Sequence, residues 1–316
     1  MATRVLLTVD TELGWGPYSE GAGWEENLRR SFDPAGVGVP WQLQRLAENG
    51  LKAVFFVDPM PGLVYGIEPI RRMVEPILAA GQEVQLHLHP VWASIAAGKP
   101  AGEKFELTCF DAEEQRELIT TARRLLMEAG ARDPIAFRSG SYAANGGTLA
   151  ALRALGLRYD SSHNGSYAPD PSALPLPPQT MAPVEVDGVI EVPVTQIEDS
   201  ARSLRHLQLC ALSSDEIQAC LLHAADEGHP TAVLVTHGFE LASRDGKRAN
   251  RVLCRRFERL CAFLADRADI LPTAHFRDLE HLVLDADATP LPASPLRRTR
   301  RLAEQAWSNA LYERAL

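Results

Sequence analysis

Residues 84–90 read VQLHLHP. Apolar and polar side chains alternate with period two through Val84–His89, the pattern of a strand with one face against a core. Side chains two apart share a face, so His87 and His89 project together while Leu86 and Leu88 pack on the opposite side. Two imidazoles on one face suit a transition metal, for which histidine is the commonest neutral ligand. A second run, LTVDTE at residues 7–12, repeats the device with acids, placing Asp10 and Glu12 two apart where an apolar run ends.

Further short β-rich runs lie at Ala53–Val57, Ile135–Phe137, Leu157–Tyr159, Ile190–Val194, Ala232–Thr236 and Ile270–Leu271, beside Val5–Val9 and Val84–His89. Helical periodicity fills many of the intervals, at Trp41–Glu48, Ile70–Ala80, Ala112–Ala129, Leu149–Leu155, Asp215–Glu227 and Val252–Ala268. Strand and helix in alternation predict an α/β fold with parallel strands and crossover helices, and seven or eight such units predict a barrel. The polar residues fall at the strand ends: Asp10, Asp58, His87 with His89, Arg138, Asp160 and His237 close the first, second, third, fourth, fifth and seventh runs. Catalytic groups of α/β barrels gather at that rim.

Composition narrows the class. The 316 residues are 46% hydrophobic and 23% charged, as in a soluble domain with a large core. A net charge of −9 argues against nucleic acid as a partner. The opening MATRVLLTVDTELGW lacks a signal-peptide pattern, no apolar run is long enough to span a bilayer, and the five cysteines form no CxxC. These features predict a cytoplasmic chain with reduced thiols. Pro169–Pro183 reads as a long loop. Residues 1–285 are expected to form the barrel domain, and residues 286–316 a Pro/Ala linker followed by a basic, amphipathic C-terminal segment. Arg297, Arg298, Arg300 and Arg301 there suggest peripheral contact with anionic lipid or a partner, or a helix docked on its own barrel.

A catalytic zinc site has three protein ligands and an open position for water. His87, His89 and one carboxylate of the first strand meet that count, and the other carboxylate is free to act as base. Asp10 and Glu12 share a face, so these residues alone leave open which of the two binds the metal and which acts as base.

The ordered motifs LTVDTE, AVFFV, VQLHLHP, FRSGSY, LRYDSS and LVTHG resemble the NodB-homology polysaccharide deacetylases, carbohydrate esterase family 4, across roughly residues 4–280. The resemblance implies a distorted (β/α)7–8 barrel, a divalent metal (Zn2+ foremost, with Co2+ or Mn2+ possible) and removal of an acetyl or other acyl group from an N-acylated sugar. By position it implies that Asp10 is the catalytic base, His87 a metal ligand and Arg138 the brace of the base. His237 becomes the general acid, and Asp160 the acid that orients it. Three departures mark a divergent member. Thr11 and Glu12 follow Asp10 where the family has a second aspartate, on the metal; Glu12, on the same strand face as Asp10, is assigned that place, with His87 and His89. The second histidine comes two residues after the first instead of four. Ser139–Gly140–Ser141–Tyr142 replaces a proline-containing turn, which makes a backbone N–H near Ser141 the expected oxyanion donor and Tyr142 a substrate contact. Trp15 and Trp92 are expected to stack on a sugar ring, and the glycines at 14, 16, 21 and 23 to form a mobile loop over the site. Two other readings are a hydrolase of a small non-sugar amide, such as a ureide, and a non-catalytic sugar-binding relative.

Overall fold

The computed structural model describes residues 2–100, 104–200 and 203–313. Ten strands are present among them: β1 (Arg4–Thr11), β2 (Val54–Val57), β3 (Glu83–Leu88), β4 (Ala136–Ser139), β5 (Tyr159–Asp160), β6 (Val184–Val186), β7 (Val189–Glu191), β8 (Gln196–Ser200), β9 (Ser203–His206) and β10 (Thr231–His237). Eight form one sheet in the order β10-β1-β2-β3-β4-β5-β7-β6, parallel throughout except for the β6–β7 hairpin; β8 and β9 pair separately. The sheet curls, and its open side is bridged irregularly between β7 and β10. There Thr195 N–H donates to Val233 O at 3.2 Å, and Leu209 N–H and Val235 N–H exchange bonds across the Leu207–Leu209 segment, each at 2.9 Å. The result is the expected distorted barrel, with seven parallel strands and ragged closure.

The register divides the core. Leu6, Val54, Phe56, Ala136, Tyr159 and Val233 fill the barrel interior. Val5, Leu7, Val57, Leu86 and Phe137 face the helical layer. That layer consists of α1 (Trp15–Ser19), α2 (Trp24–Ser31), α3 (Val39–Glu48), α4 (Gly62–Tyr65), α5 (Glu68–Ala79), α6 (Val91–Ala96), α7 (Ala112–Glu128), α8 (Gly146–Ala154), α9 (Ser214–Asp226), α10 (Arg251–Ala265) and α11 (Pro295–Ser308). Local chemistry starts several of these helices. Asp111 and Glu114, Asn145 and Thr148, and Ser213 and Glu216 form reciprocal caps that satisfy first-turn amides of α7, α8 and α9.

Several sequence expectations need correction. Ile270–Leu271 is not a strand; the chain instead makes one bridge, Val5 with Thr273, just beyond it. The glycine-containing stretch after Glu12 carries the short helices α1 and α2. The segment after the Pro/Ala stretch is helical and lies on the barrel side. Fully buried Arg301 pairs with Asp199 and reaches Glu216 at 3.8 Å, while Arg256 pairs with Glu304. Its outer face leaves Leu296, Leu302 and Trp307 exposed. All five cysteines are free, and no helix among the described residues is long and apolar enough to cross a membrane.

Candidate active site

Residues paired across parallel strands point to the same side of a sheet, so register sorts the strand-end groups. Asp10 is level with Phe56 and His237, and His87 is level with Arg138, all turned inward. Glu12, His87 and His89 meet one layer higher. His89 Nε2 and Glu12 Oε2 are 2.6 Å apart, and His87 Nε2 is 3.6 Å from the same oxygen. Ligand atoms of the three all lie within 4.8 Å of one another. His87 Nδ1 is 2.8 Å from Arg138 O, so Nδ1–H donates to that carbonyl and the Nε2 lone pair is turned toward Glu12. Two nitrogens and one carboxylate oxygen, with one tautomer already fixed, fit a divalent metal of the zinc type.

The charges agree with that fit. Burial pulls the His89 imidazole down, but Glu12, with Asp58 and Asp10 behind it, lifts it to about 9. Burial pushes Glu12 up, and His89 and His87 outweigh it, holding the carboxyl well below its usual range.

Asp10 sits beneath. Arg138, fully buried, donates from Nη1 to Asp10 Oδ1 at 2.7 Å and to Thr8 Oγ1 at 2.8 Å, and from Nε to Ser161 O at 3.1 Å. Its guanidinium also covers the Phe56 ring at 4.4 Å. Burial raises the Asp10 carboxyl, but Arg138, followed by His87 and His237, holds it below the usual value. Asp58 lies on the same side with Oδ1 accepting from Met60 N at 2.9 Å and Oδ2 buried without a partner. Its burial outweighs the nearby histidines and pushes it to about 6.

The turn after β4 explains a departure seen in the sequence. A Cβ built on Gly140 would stand 2.4 Å from Nδ1 and Cε1 of His89. The ring of the second histidine therefore occupies space that only glycine leaves open. Ser141 and Tyr142 follow with φ of 54° and 59°, conformations costly for residues with side chains and found at positions where a turn must aim groups into a site. Tyr142 stacks on Tyr167 at 5.8 Å. Together with Asp10, Glu12, His87, His89 and His237 they line a cavity of about 500 Å3.

Not every candidate reaches this cavity. Trp92 is buried, packed with Tyr18 and Tyr65 at 5.4 and 5.9 Å, and Trp15 packs on Tyr18 at 5.5 Å. Neither lines the cavity, because α1 and α6 turn both rings into a cluster between helices. Asp160 is level with outward-facing Phe137 and with Glu191, and makes no hydrogen bond to His237. It accepts from Ser161 N at 2.9 Å and Ser162 Oγ at 2.6 Å. Burial pushes Asp160 to about 6; Glu191 is driven well above its usual value by burial and by Asp160 beside it. The ring of His237 instead faces Gln208 and Glu240, at 3.3 and 4.0 Å. Gln208, Tyr167 and Glu106 line the cavity and were not expected from sequence. Glu240 alone had a usable signal, an acid three residues after the histidine in THGFE.

The curled parallel barrel is the fold of solved polysaccharide deacetylase structures. One such structure, a protein from Mycobacterium smegmatis assigned as a polysaccharide deacetylase, superposes with a TM-score of 0.59 at 20% identity, covering 92% of this chain and 94% of that one. The 4-alpha-glucanotransferase from Thermococcus litoralis matches at a TM-score of 0.52 and 13% identity, over 88% of this chain and 40% of that one. At such identities the likeness is one of fold, and the pair shows that this barrel is not tied to one chemistry. No family model and no curated protein matches the sequence.

Proposed function

We propose that this protein is a metal-dependent deacylase that hydrolyses the N-acyl group of an acylated sugar. The carrying observation is the convergence of Glu12, His87 and His89 directly above a buried Asp10–Arg138 pair. Glu12, His87 and His89 would hold the ion. A divalent cation at that position supplies Lewis-acid polarisation and a more acidic water. Asp10, kept ionised by Arg138, takes the proton from the attacking water; the same pairing that guarantees its charge makes it a weaker base, suited to a water already acidified. The positive-φ turn at Ser141–Tyr142 brings backbone toward the carbonyl oxygen, where a single donor contributes about 3 kcal/mol to the transition state. His237, facing Asp10 across β1 and β10, gives a proton to the departing nitrogen.

The test is direct. Purified protein is assayed for bound metal, then for acetate release from an N-acetylglucosamine oligomer with zinc, cobalt or manganese. We expect close to one ion per chain and metal-dependent release. Protein that takes up no ion removes the hydrolase reading and leaves a binding protein. The cavity, about 500 Å3, has room for a small molecule as readily as for one sugar ring, which favours a small amide as the second reading. Turnover of a ureide with no acetate from the oligomer decides for it.

A further inference from the structure

A proton-donating imidazole needs its second nitrogen held, and the sequence assigned that task to Asp160. The structure turns Asp160 out of the barrel. What stands behind His237 is a chain of side chains from two other segments. His206 Nε2, at the end of β9, lies close to Gln208 Oε1 and fixes the amide so that its nitrogen faces the other way. Gln208 Nε2 then donates to Glu240 Oε1 at 2.7 Å and points at His237 Nδ1 from 3.3 Å. Glu240 also accepts from Thr236 Oγ1 at 2.6 Å and from the His237 backbone N–H at 3.2 Å. Its side chain is only 6% exposed.

We propose that Glu240, working through and beside Gln208, is the positioning group for His237 in place of Asp160. The inference rests on the reading of His237 as proton donor. In the neutral ring Nδ1 accepts from the Gln208 amide, so the proton sits on Nε2, the nitrogen left for the cavity. When the ring takes a second proton, its Nδ1–H loses Gln208 as a partner and has Glu240 Oε1, 4.0 Å away, as the acceptor of opposite charge. The second proton comes from solvent water in the cavity; after Nε2 releases its proton to the leaving amine, the ring keeps the Nδ1 proton beside Glu240 until exchange with water returns it to the Nε2–H tautomer, in which Gln208 again donates to Nδ1. The other ionisable groups around this pair are Asp10 across the strand, His206 behind Gln208, and Cys210 against Glu240.

Glu240→Gln keeps the shape and removes the charge, and Gln208→Leu removes the donor without touching any bond to Glu240's backbone partners. Both are assayed on an N-acetyl anilide and on 4-nitrophenyl acetate, whose leaving group needs no proton. We expect kcat on the anilide to fall about 10- to 100-fold, the range for groups that orient a functional imidazole. For Glu240→Gln, whose side chain lies outside the cavity lining, KM and aryl-ester turnover should move little; for Gln208→Leu, which alters the cavity wall, the readout is the ratio of anilide to ester turnover, and Glu240→Asp should recover part of the loss. Asp160→Asn should change the anilide-to-ester ratio less than Glu240→Gln does; the reverse order overturns the proposal. Ring-nitrogen NMR of labelled histidine gives an arm independent of turnover. The wild type should show His237 with the proton on Nε2, and both variants a mixture of tautomers; unchanged signals in both overturn the assignment. A wild type inactive on both probes counts against the deacylase reading, while the NMR still decides whether Glu240 and Gln208 hold the ring.

Discussion

β1 and β5 each carry a buried aspartate at or next to the last residue of the strand, yet the two acids do opposite things. Asp10 is level with Phe56 and His237 and points into the barrel, where Arg138 keeps it charged. Asp160 is level with Phe137 and Glu191 and points into the helical layer, where no cation pairs with it and burial raises its affinity for a proton. One residue of register separates these fates, because successive side chains of a strand face opposite sides. A strand-end acid is thus a site candidate only once its parity is known.

The contrast is broken most severely at the inward acids. Asp10→Asn should leave metal bound while turnover drops roughly 10²–10⁴-fold, the usual worth of a general base. Glu12→Ala should abolish both activity and stoichiometric metal. Metal analysis beside acetate release separates these outcomes, and a metal-free Asp10→Asn with an active Glu12→Ala would exchange their roles.

Gly140→Ala should have the next largest effect. The added methyl collides with the His89 ring, so zinc affinity should weaken, by about 10- to 100-fold if only the orientation of one ligand is disturbed. Competition titration against a chromogenic chelator measures it, and an unaltered affinity would show that the ring has another position from which to bind.

The outward pair should speak through stability instead. Asp160 and Glu191 both take up protons more readily folded than unfolded, so their contribution is complete below the unfolded carboxyl values near 4 and is lost as pH rises through about 6 and beyond. Asp160→Asn removes one titrating partner. Its Tm relative to wild type should therefore rise between pH 5 and pH 8, and a pH-independent difference would exclude a shared proton between the two carboxyls.

How much of this was legible in the sequence follows the same physics. The C-terminal half of β1 and nearly all of β3 alternate, LTVDT and VQLHL, and the period carries one residue beyond each strand, so the sharing of a face by Asp10 with Glu12 and by His87 with His89 could be read from spacing. β5 is two residues long, and nothing within LRYDSS says which of its side chains faces in; only pairing with β4 decides. Ile190–Val194 anticipated part of β7, but its partner β6 and the β8–β9 hairpin were missed because short, partly polar strands carry weak periodicity. Trp92 was misplaced because a strand-end histidine was followed by a helix, α6, that carries the ring away from the rim. Gln208 lies in the irregular closure between β9 and β10, where no pattern operates.

The contact between His89 and Gly140 also constrains how such a site could arise or be altered. The shortened histidine spacing and the proline-free turn are one change written in two places, since a side chain at residue 140 and a ring at residue 89 compete for the same volume. Substituted singly, a proline at 140 should be deleterious in this chain, and equally a glycine there gains nothing in a chain whose second histidine sits elsewhere. Any side chain introduced at residue 140 should therefore be tolerated only when the residue 89 ring is removed as well, so the effects of the two substitutions should not add.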